Sequence, residues 1–256
     1  MKLPAVFLGH GTPLYAIEPN HFTDAWSRFG RSIPKPRAVL MISAHWLTRG
    51  TWLTAMEQPQ TIHDFGGFSQ ALFDQEYSAP GSPWLANLVK DVLAPVPVVL
   101  EEYEWGFDHG AWAVMKYVYP DADVPMIQLS LDARLSGAQH YELAKRLRTL
   151  REQGVLIVAS GNVIHNLRVM NRGEHPGYDW AHRFNDFFKE KLLAQQHEPL
   201  FDPTIGSPDA QLSIPTPEHY WPALYILAQQ EVGDEVKILS DGIDTASVSM
   251  LSFQLG

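Results

Sequence analysis

Short apolar stretches recur along the chain, and the segments between them repeat apolar residues with a helical period. The apolar stretches predict β-strands over residues 5–8, 38–43, 51–56, 96–100, 125–131, 155–159, 236–239 and 247–253. The intervening segments predict helices over residues 83–93, 111–117, 136–154, 180–193 and 216–229. Loops are predicted over residues 61–68 and 199–215. This alternation predicts an α/β fold with a mostly parallel or mixed central sheet and helices on both faces.

Two of the predicted helices begin with residues typical of a helix N-terminus. Ser82 and Thr216 are capping residues, and each is followed by a proline, which suits the first helical position. Because no linker or internal repeat divides the pattern, we expect a single catalytic domain over residues 1–256. Sites in such sheets form at the carboxyl ends of strands. Three of the clearest predicted strands end in FLGH, ISAH and ASGN.

The charge of the chain bears on its partners. The formal net charge is -10, and no basic run interrupts it, so we expect a small-molecule substrate and no nucleic-acid partner. No segment has the apolar length of a membrane span. The first apolar stretch is broken by Pro4, Gly9 and His10, which leaves it too short for a signal peptide. We therefore expect a cytoplasmic protein without membrane contact, and the oligomeric state stays open.

Cysteine is absent from the sequence. Disulfides, thiolate nucleophiles and cysteine metal sites are thereby excluded. A bound metal would have to use nitrogen and oxygen ligands. The sequence also lacks the GxSxG, P-loop, GxGxxG and HExxH patterns, so it offers no support for a serine hydrolase, a nucleotide-phosphate site or a zincin.

Five of the eleven histidines lie where a site is expected, after a predicted strand or at the start of a helix. They are His10, His45, His109, His165 and His219. Each also has a purely structural interpretation, as a turn residue, a residue packed at a sheet edge or part of a helix cap. Asp108 is such a competing N-cap candidate beside His109. The shared placement at strand ends favours an ion bound by several imidazoles.

The other histidines carry weaker signals. His63 lies in the glycine-containing loop HDFGGF and could line the mouth of a site, and the aromatic pair Tyr220 and Trp221 could help to shape a pocket for a flat ring. The remaining five are expected to be structural or solvated. They are His21, His140, His175, His182 and His197.

The ordered series of histidine-containing segments resembles the class III extradiol ring-cleavage dioxygenases, the LigB-like superfamily, and within it the DOPA-cleaving group. The similar segments are FLGHGTP, ISAHW, HDFGGF, FDHGAW, SGNVIHNL and PTPEHYWPAL, in this order over most of the chain. The resemblance implies that O2 opens the aromatic ring of L-DOPA or a related catechol at a mononuclear metal site.

The same resemblance assigns a role to each of the five histidines. It implies that His10, His45 and His219 bind one divalent metal ion. It implies that His165 acts as the acid/base and can serve as a fourth ligand, and that His109 lies over the substrate or oxygen site.

The chain departs from the protocatechuate-cleaving relatives at one ligand. Those proteins complete an iron site with a carboxylate, whereas the matching position here is His219. The side chain of the adjacent Glu218 is expected to point elsewhere on its helix. An all-imidazole set also suits zinc, so we expect Zn(II) in the isolated protein and Fe(II) for dioxygenase activity.

Two other functions stay open at this point. The first is a zinc-dependent hydrolase, in which the ion would activate water. The second is a non-enzymatic binding protein of the Memo type, which shares the superfamily fold. Only the dioxygenase would consume oxygen in step with a catechol.

Overall fold

An eight-stranded mixed sheet forms the centre of the computed structural model, which describes residues 2–173 and 175–256. In chain order the strands are β1 (Ala5–Gly9), β2 (Ala38–Thr48), β3 (Thr51–Thr54), β4 (Val98–Glu101), β5 (Met126–Asp132), β6 (Val155–Gly161), β7 (Val236–Ser240), β8 (Ile243–Asp244), β9 (Val248–Ser249) and β10 (Ser252–Leu255). Strands β8 and β9 form a separate antiparallel hairpin.

The order of strands across the sheet is β4-β3-β5-β2-β6-β1-β10-β7. The four central strands β5, β2, β6 and β1 are parallel, while β3 and β10 run antiparallel to their central neighbours. The carboxyl ends of the four central strands therefore lie at one edge, where a site is expected. The prediction of a mixed sheet is confirmed.

The helices connect these strands and cover the sheet. They are α1 (His21–Ser32), α2 (Gln70–Phe73), α3 (Pro83–Leu93), α4 (His109–Val118), α5 (Gly137–Lys145), α6 (Thr149–Glu152), α7 (Asp179–Leu193), α8 (Pro203–Gly206), α9 (Ala210–Ser213) and α10 (Trp221–Leu227). Short 3-10 turns lie at Pro13–Ala16, Arg146–Arg148, Leu167–Val169 and Glu198–Leu200. Among the described residues, no helix is long and apolar enough to cross a membrane.

Alternate residues of the central strands pack into two different cores. Phe7 and Ile157 belong to the cluster that also contains residues of α3, α5, α7 and α10. Their neighbours Val6 and Val158 belong to the cluster built with α1 and α4. Because successive strand residues point to opposite faces, the two clusters lie on opposite sides of the sheet. This arrangement confirms helices on both faces.

Helix α1 is an element that the apolar pattern did not predict. Asn20 caps it, since its side chain accepts hydrogen bonds from the backbone N–H groups of Phe22 and Thr23. The Thr23 hydroxyl oxygen accepts from the N–H of Asn20 and completes a capping box. Trp26 and Phe29, one helical turn apart, are buried against the sheet. The capping box and the spacing of these aromatic residues are typical of a helix, but the segment as a whole is polar.

The helix expected from Thr216 begins only at Trp221, so that predicted start is wrong. Residues 216–220 form turns in which the N–H groups of Tyr220 and Trp221 both donate to the carbonyl of Pro217, each at 3.0 Å. Pro222 then occupies the first turn of α10, where its missing N–H costs nothing. Pro222, and not Pro217, marks the start of the helix.

Several other boundaries also differ from the predictions. Strand β2 continues to Thr48, five residues past the predicted end at residue 43. The predicted helix over residues 136–154 is broken by a 3-10 turn into α5 and α6. Pro83 does open α3, but the Ser82 side chain forms no capping hydrogen bond.

Candidate metal centre

Five histidines converge on one cavity of about 440 Å³ at the carboxyl edge of the sheet. They come from five parts of the chain: His10 follows β1, His45 lies in β2, His109 opens α4, His165 follows β6, and His219 precedes α10. The structure thus brings together all five histidines singled out in the sequence. They are the residues proposed below for metal binding and catalysis.

The end of β1 fixes His10. Its backbone N–H donates to the carbonyl of Gly161 at 3.2 Å, which continues the parallel pairing of β1 with β6. Its imidazole is buried, and Nδ1 lies 3.0 Å from the hydroxyl oxygen of Ser160. Since Nδ1 is engaged with this hydroxyl, the remaining nitrogen Nε2 points into the cluster.

An irregularity in β2 aims His45 into the same space. Residues 43–46 of β2 lie opposite the single residue Ser130 of β5, because the pairing jumps from Ile42–Leu129 to Leu47–Leu131. Extra residues in one strand bend it and redirect its side chains. The His45 Nε2 atom consequently lies 3.2 Å from the Nε2 atom of His10.

Asp64 holds two of the imidazoles. Its carboxylate accepts from the His109 backbone N–H at 2.8 Å and from His109 Nδ1 at 3.0 Å, and it lies 3.3 Å from His45 Nδ1. Burial favours the neutral acid, but the hydrogen bonds from His109 and the electrostatic attraction of the His109 and His45 rings outweigh it and lower the pKa of Asp64 to about 2. The ionised carboxylate can only accept, so His109 Nδ1 carries the proton of this hydrogen bond.

His219 and His165 form a stacked pair. Their ring centroids are 3.5 Å apart, and the rings are inclined by only 4°. The Nδ1 atom of His219 lies 3.2 Å from a carboxylate oxygen of Glu218. The expectation that Glu218 points elsewhere is therefore wrong, because residues 216–220 form turns instead of the helix that would have separated the two side chains.

The imidazole nitrogens fit a cation. Burial is the largest cause that lowers the pKa values of His10, His45 and His219 well below the usual range, and neighbouring imidazoles lower them further. Neutral imidazoles offer lone pairs, and a polar partner at Nδ1 leaves Nε2 as the ligand atom, as in many protein metal sites. The Nδ1 partners are Ser160 for His10, Asp64 for His45 and His109, and Glu218 for His219.

Two compact groups of potential ligand atoms lie within this cluster. One contains His10, His45 and His109, and the other contains His165, Glu218 and His219, with the ligand atoms of each group within 4.8 Å of one another. The predicted ligand set takes members from both groups. His109 is as well placed beside His10 and His45 as a ligand would be, although the resemblance gave it a role over the substrate.

The cavity wall beside the imidazoles is apolar and aromatic. The Phe65 ring contacts the His109 ring edge-on at a centroid distance of 5.6 Å. It also contacts the Phe68 ring edge-on, again at 5.6 Å. Both phenylalanines come from the predicted loop and line the cavity. His63 packs edge-on against Phe65 and does not line the cavity. Its Nε2 lies 2.9 Å from the carbonyl oxygen of Gln75.

The aromatic pair after His219 does not shape the cavity as expected. Tyr220 is buried in the core, where its hydroxyl donates to the carbonyl of Leu200 at 2.8 Å. His140 is likewise a core residue, with its Nδ1 at 3.0 Å from the Tyr225 hydroxyl. The flat walls of the cavity come instead from residues 65 and 68.

Asp108 connects two of the elements that carry the clustered histidines, whereas the sequence predicts it only as a helix N-cap. It does cap α4, since it accepts from the N–H of Ala111 at 3.1 Å. It also accepts from the Ser43 hydroxyl at 2.6 Å and from the Gln128 side chain. Burial, and then the charge of Asp64, raise the pKa of Asp108 to about 6. This carboxylate ties the irregular part of β2 to α4.

Gly161 is required for the position of His219. A Cβ atom at residue 161 would lie 2.3 Å from the carbonyl oxygen of His219, far inside van der Waals contact. We expect Gly161→Ala to destabilise the protein by about 1–3 kcal/mol, as overpacking does, and to weaken metal binding. Urea unfolding and metal titration measure the two effects. Gly66→Ala is the control, since a Cβ there meets nothing within 4 Å; equal effects of both variants would contradict the assignment.

Loss of the Asp64 carboxylate should weaken metal binding without removing a ligand. Asp64→Asn removes the anion that accepts from the His109 imidazole and lies beside His45 Nδ1. Loss of such a partner typically costs about 10–100-fold in metal affinity. Competition with a chromophoric chelator measures this change. Asp74→Asn, in an exposed position ten residues away, is the control. An unchanged affinity in the Asp64 variant would show that the carboxylate does not orient the ligands.

The fold and the histidine cluster define an α/β protein whose site could bind one metal ion. The family model described as the catalytic LigB subunit of aromatic ring-opening dioxygenase matches residues 4–232. The chain belongs to this LigB family, the class III extradiol dioxygenases.

The similar proteins agree with this family. The chain is 48% identical over 259 residues to a 4,5-DOPA dioxygenase extradiol of Escherichia coli K12, covering 100% of this chain and 95% of that protein. A protein of the same name from Beta vulgaris is 34% identical, over 97% and 94% of the two chains. A crystal structure of an uncharacterized Escherichia coli K12 protein matches with a TM-score of 0.88 and 43% identity over the full length of both chains.

Proposed function

We propose that this protein is an extradiol dioxygenase that opens the aromatic ring of L-DOPA or a closely related catechol with O2. One metal ion per chain is held by His10, His45 and His219, with His165 near enough to act as a fourth ligand before substrate binds. The observation that carries the proposal is the cluster of neutral imidazoles at one wall of an apolar cavity. Family membership and the names of the similar proteins support the reaction and the substrate class.

The donor set determines which metals fit. His10, His45 and His219 would hold the ion as neutral imidazoles, and a divalent ion bound by neutral ligands would keep a positive charge that favours an anionic catecholate. Bound Fe(II) supplies the electron transfer between catechol and oxygen that amino-acid side chains cannot supply. Zinc lies above Fe(II) in the affinity order and binds imidazole well, so we propose that the isolated protein carries zinc and that Fe(II) is the working metal.

The residues of the chain position the substrate and move its proton. Phe65 and Phe68 offer the catechol ring an apolar wall with edge-to-face contacts. His165 is half-buried, and burial lowers its pKa to about 4, so that its free imidazole is unprotonated at neutral pH. It can therefore take a proton from a catechol hydroxyl. His109, fixed by Asp64, presents Nε2 to the same space.

Oxygen uptake with catechols tests this function. Protein stripped of metal and reloaded with Fe(II) should consume oxygen when L-DOPA is added and should form a yellow semialdehyde. The same protein loaded with Zn(II) should do neither, because zinc cannot change oxidation state. If iron occupancy is verified and no catechol causes oxygen uptake, the dioxygenase is excluded. The all-imidazole set would then favour a zinc hydrolase.

A further inference from the structure

A pair of opposite charges lies in the wall of the same cavity, outside the imidazole cluster. Arg172 and Asp244 both line it, Arg172 as an exposed residue and Asp244 as a half-buried one. One oxygen of the Asp244 carboxylate accepts from the Tyr15 hydroxyl at 2.9 Å, and the other accepts from the N–H of Thr245 at 2.8 Å. The carboxylate is thus held in place, and it keeps further acceptor lone pairs at a residue that lines the cavity.

The hairpin β8–β9 fixes the position of Asp244 relative to His165. Val248 pairs directly with Asp244 within the hairpin, and it also forms an antiparallel bridge to His165. Residues that pair directly across strands place their side chains on the same face. His165, Val248 and Asp244 therefore form a row, and all three line the cavity. Two inter-strand spacings separate its ends, which is roughly 10 Å.

Arg172 is tied to the same hairpin. The N–H of Asn171 donates to the carbonyl of Thr245 at 2.9 Å. Arg172 follows Asn171 and Thr245 follows Asp244, so this hydrogen bond joins the two segments that carry Arg172 and Asp244. Thr245 and Ala246 have φ angles of 45° and 67°, a left-handed conformation that β-branched threonine rarely adopts. Such strain persists only where the surroundings impose it, and it often marks ligand sites.

We propose that Arg172 and Asp244 form a subsite for the charged tail of an α-amino acid carried by the catechol. Arg172 binds the carboxylate and Asp244 binds the ammonium group, while the ring lies along Val248 toward His165. The row from His165 to Asp244 is long enough for an aromatic ring that carries a three-carbon side chain. The guanidinium of an arginine can bind a carboxylate through two parallel N–H donors. This inference rests on the proposed function, and it specifies which catechols the site prefers.

The test uses four catechols that differ only in the tail. L-DOPA has both charged groups, dopamine lacks the carboxylate, dihydrocaffeic acid lacks the ammonium group, and 4-methylcatechol lacks both. Calorimetry on the full-length Zn(II)-loaded protein without oxygen measures the affinity of each, independently of turnover. Arg172→Gln and Asp244→Asn are compared with Arg168→Gln, a control on the same segment whose residue does not line the cavity.

Each variant should affect only the ligands that carry its partner group. Arg172→Gln should weaken L-DOPA and dihydrocaffeic acid by about 10–100-fold, the usual worth of a charged hydrogen bond, and leave the other two unchanged. Asp244→Asn should weaken L-DOPA and dopamine by a similar factor. The Arg168 variant should change none of the four affinities.

Two results would overturn the subsite. One is equal weakening of all four catechols by either variant, and the other is wild-type protein that binds 4-methylcatechol as tightly as L-DOPA. The failure of the proposed function is a separate result. If the expected affinities are found but the Fe(II)-loaded protein takes up no oxygen, the subsite stands and the dioxygenase reaction does not.

Discussion

Replacing His10 with alanine is expected to remove the metal ion and, with it, all turnover. His10 lies at the centre of the cluster, with its Nε2 atom 3.2 Å from that of His45 and its ring 5.5 Å from that of His219. Loss of a ligand should exceed the roughly 10–100-fold loss of affinity that follows loss of a ligand's supporting partner. Metal content after dialysis against a chelator, together with oxygen uptake, measures both consequences.

The control for this variant is His182→Ala, since His182 is exposed at the surface of α7 and lies away from the cavity. It should keep both metal and turnover. Because a buried alanine can also unfold the protein, His10→Gln should be measured beside His10→Ala, with thermal unfolding of each. A folded His10 variant that retains stoichiometric metal would show that the ion is not bound by this residue.

Replacing His165 with alanine should have a different effect, because turnover falls while the ion stays. His10, His45 and His219 would still hold the metal, whereas the group proposed to take the catechol proton would be lost. General acid–base catalysis typically supplies about 10²–10⁴-fold, and we expect kcat to fall by that factor. Oxygen uptake normalised to measured iron content gives the number.

The stacking of His165 on His219 makes a structural control necessary. The rings lie 3.5 Å apart, so removal of one could displace the other. His165→Phe keeps a flat ring against His219 but cannot accept a proton, and it should be as slow as the alanine variant. Wild-type turnover in either variant at full iron occupancy would exclude His165 as the acid/base.

The sequence predicted the sheet well because its central strands are buried on both faces. Continuous apolar runs such as residues 38–43 and 155–159 leave few alternatives to a parallel core strand. Helix α1 is hard to predict because its sequence is polar on average, although buried Trp26 and Phe29 have the spacing of an amphipathic helix. The start of α10 was placed too early because two nearby prolines each suit a first helical turn.

The five clustered histidines were found because they follow strand ends, which local patterns reveal. Their partners could not be found in this way. Asp64 is 45 residues away from His109 in the sequence, and Glu218 lies beside the His219 ring because residues 216–220 form turns. Arg172 and Asp244 line the same cavity, and the β8–β9 pairing with its bridge to His165 places Asp244 there, which no sequence period encodes.

The fate of the oxygen atoms tests the central claim most directly. The Fe(II)-loaded protein is given L-DOPA under 18O2, and the ring-opened product is analysed by mass spectrometry while oxygen consumption is recorded. We expect one O2 consumed for each catechol opened, and 18O from the gas in the newly formed carboxylate. A product whose new oxygen comes only from water, or conversion without oxygen consumption, would contradict the assignment of this protein as a ring-opening dioxygenase.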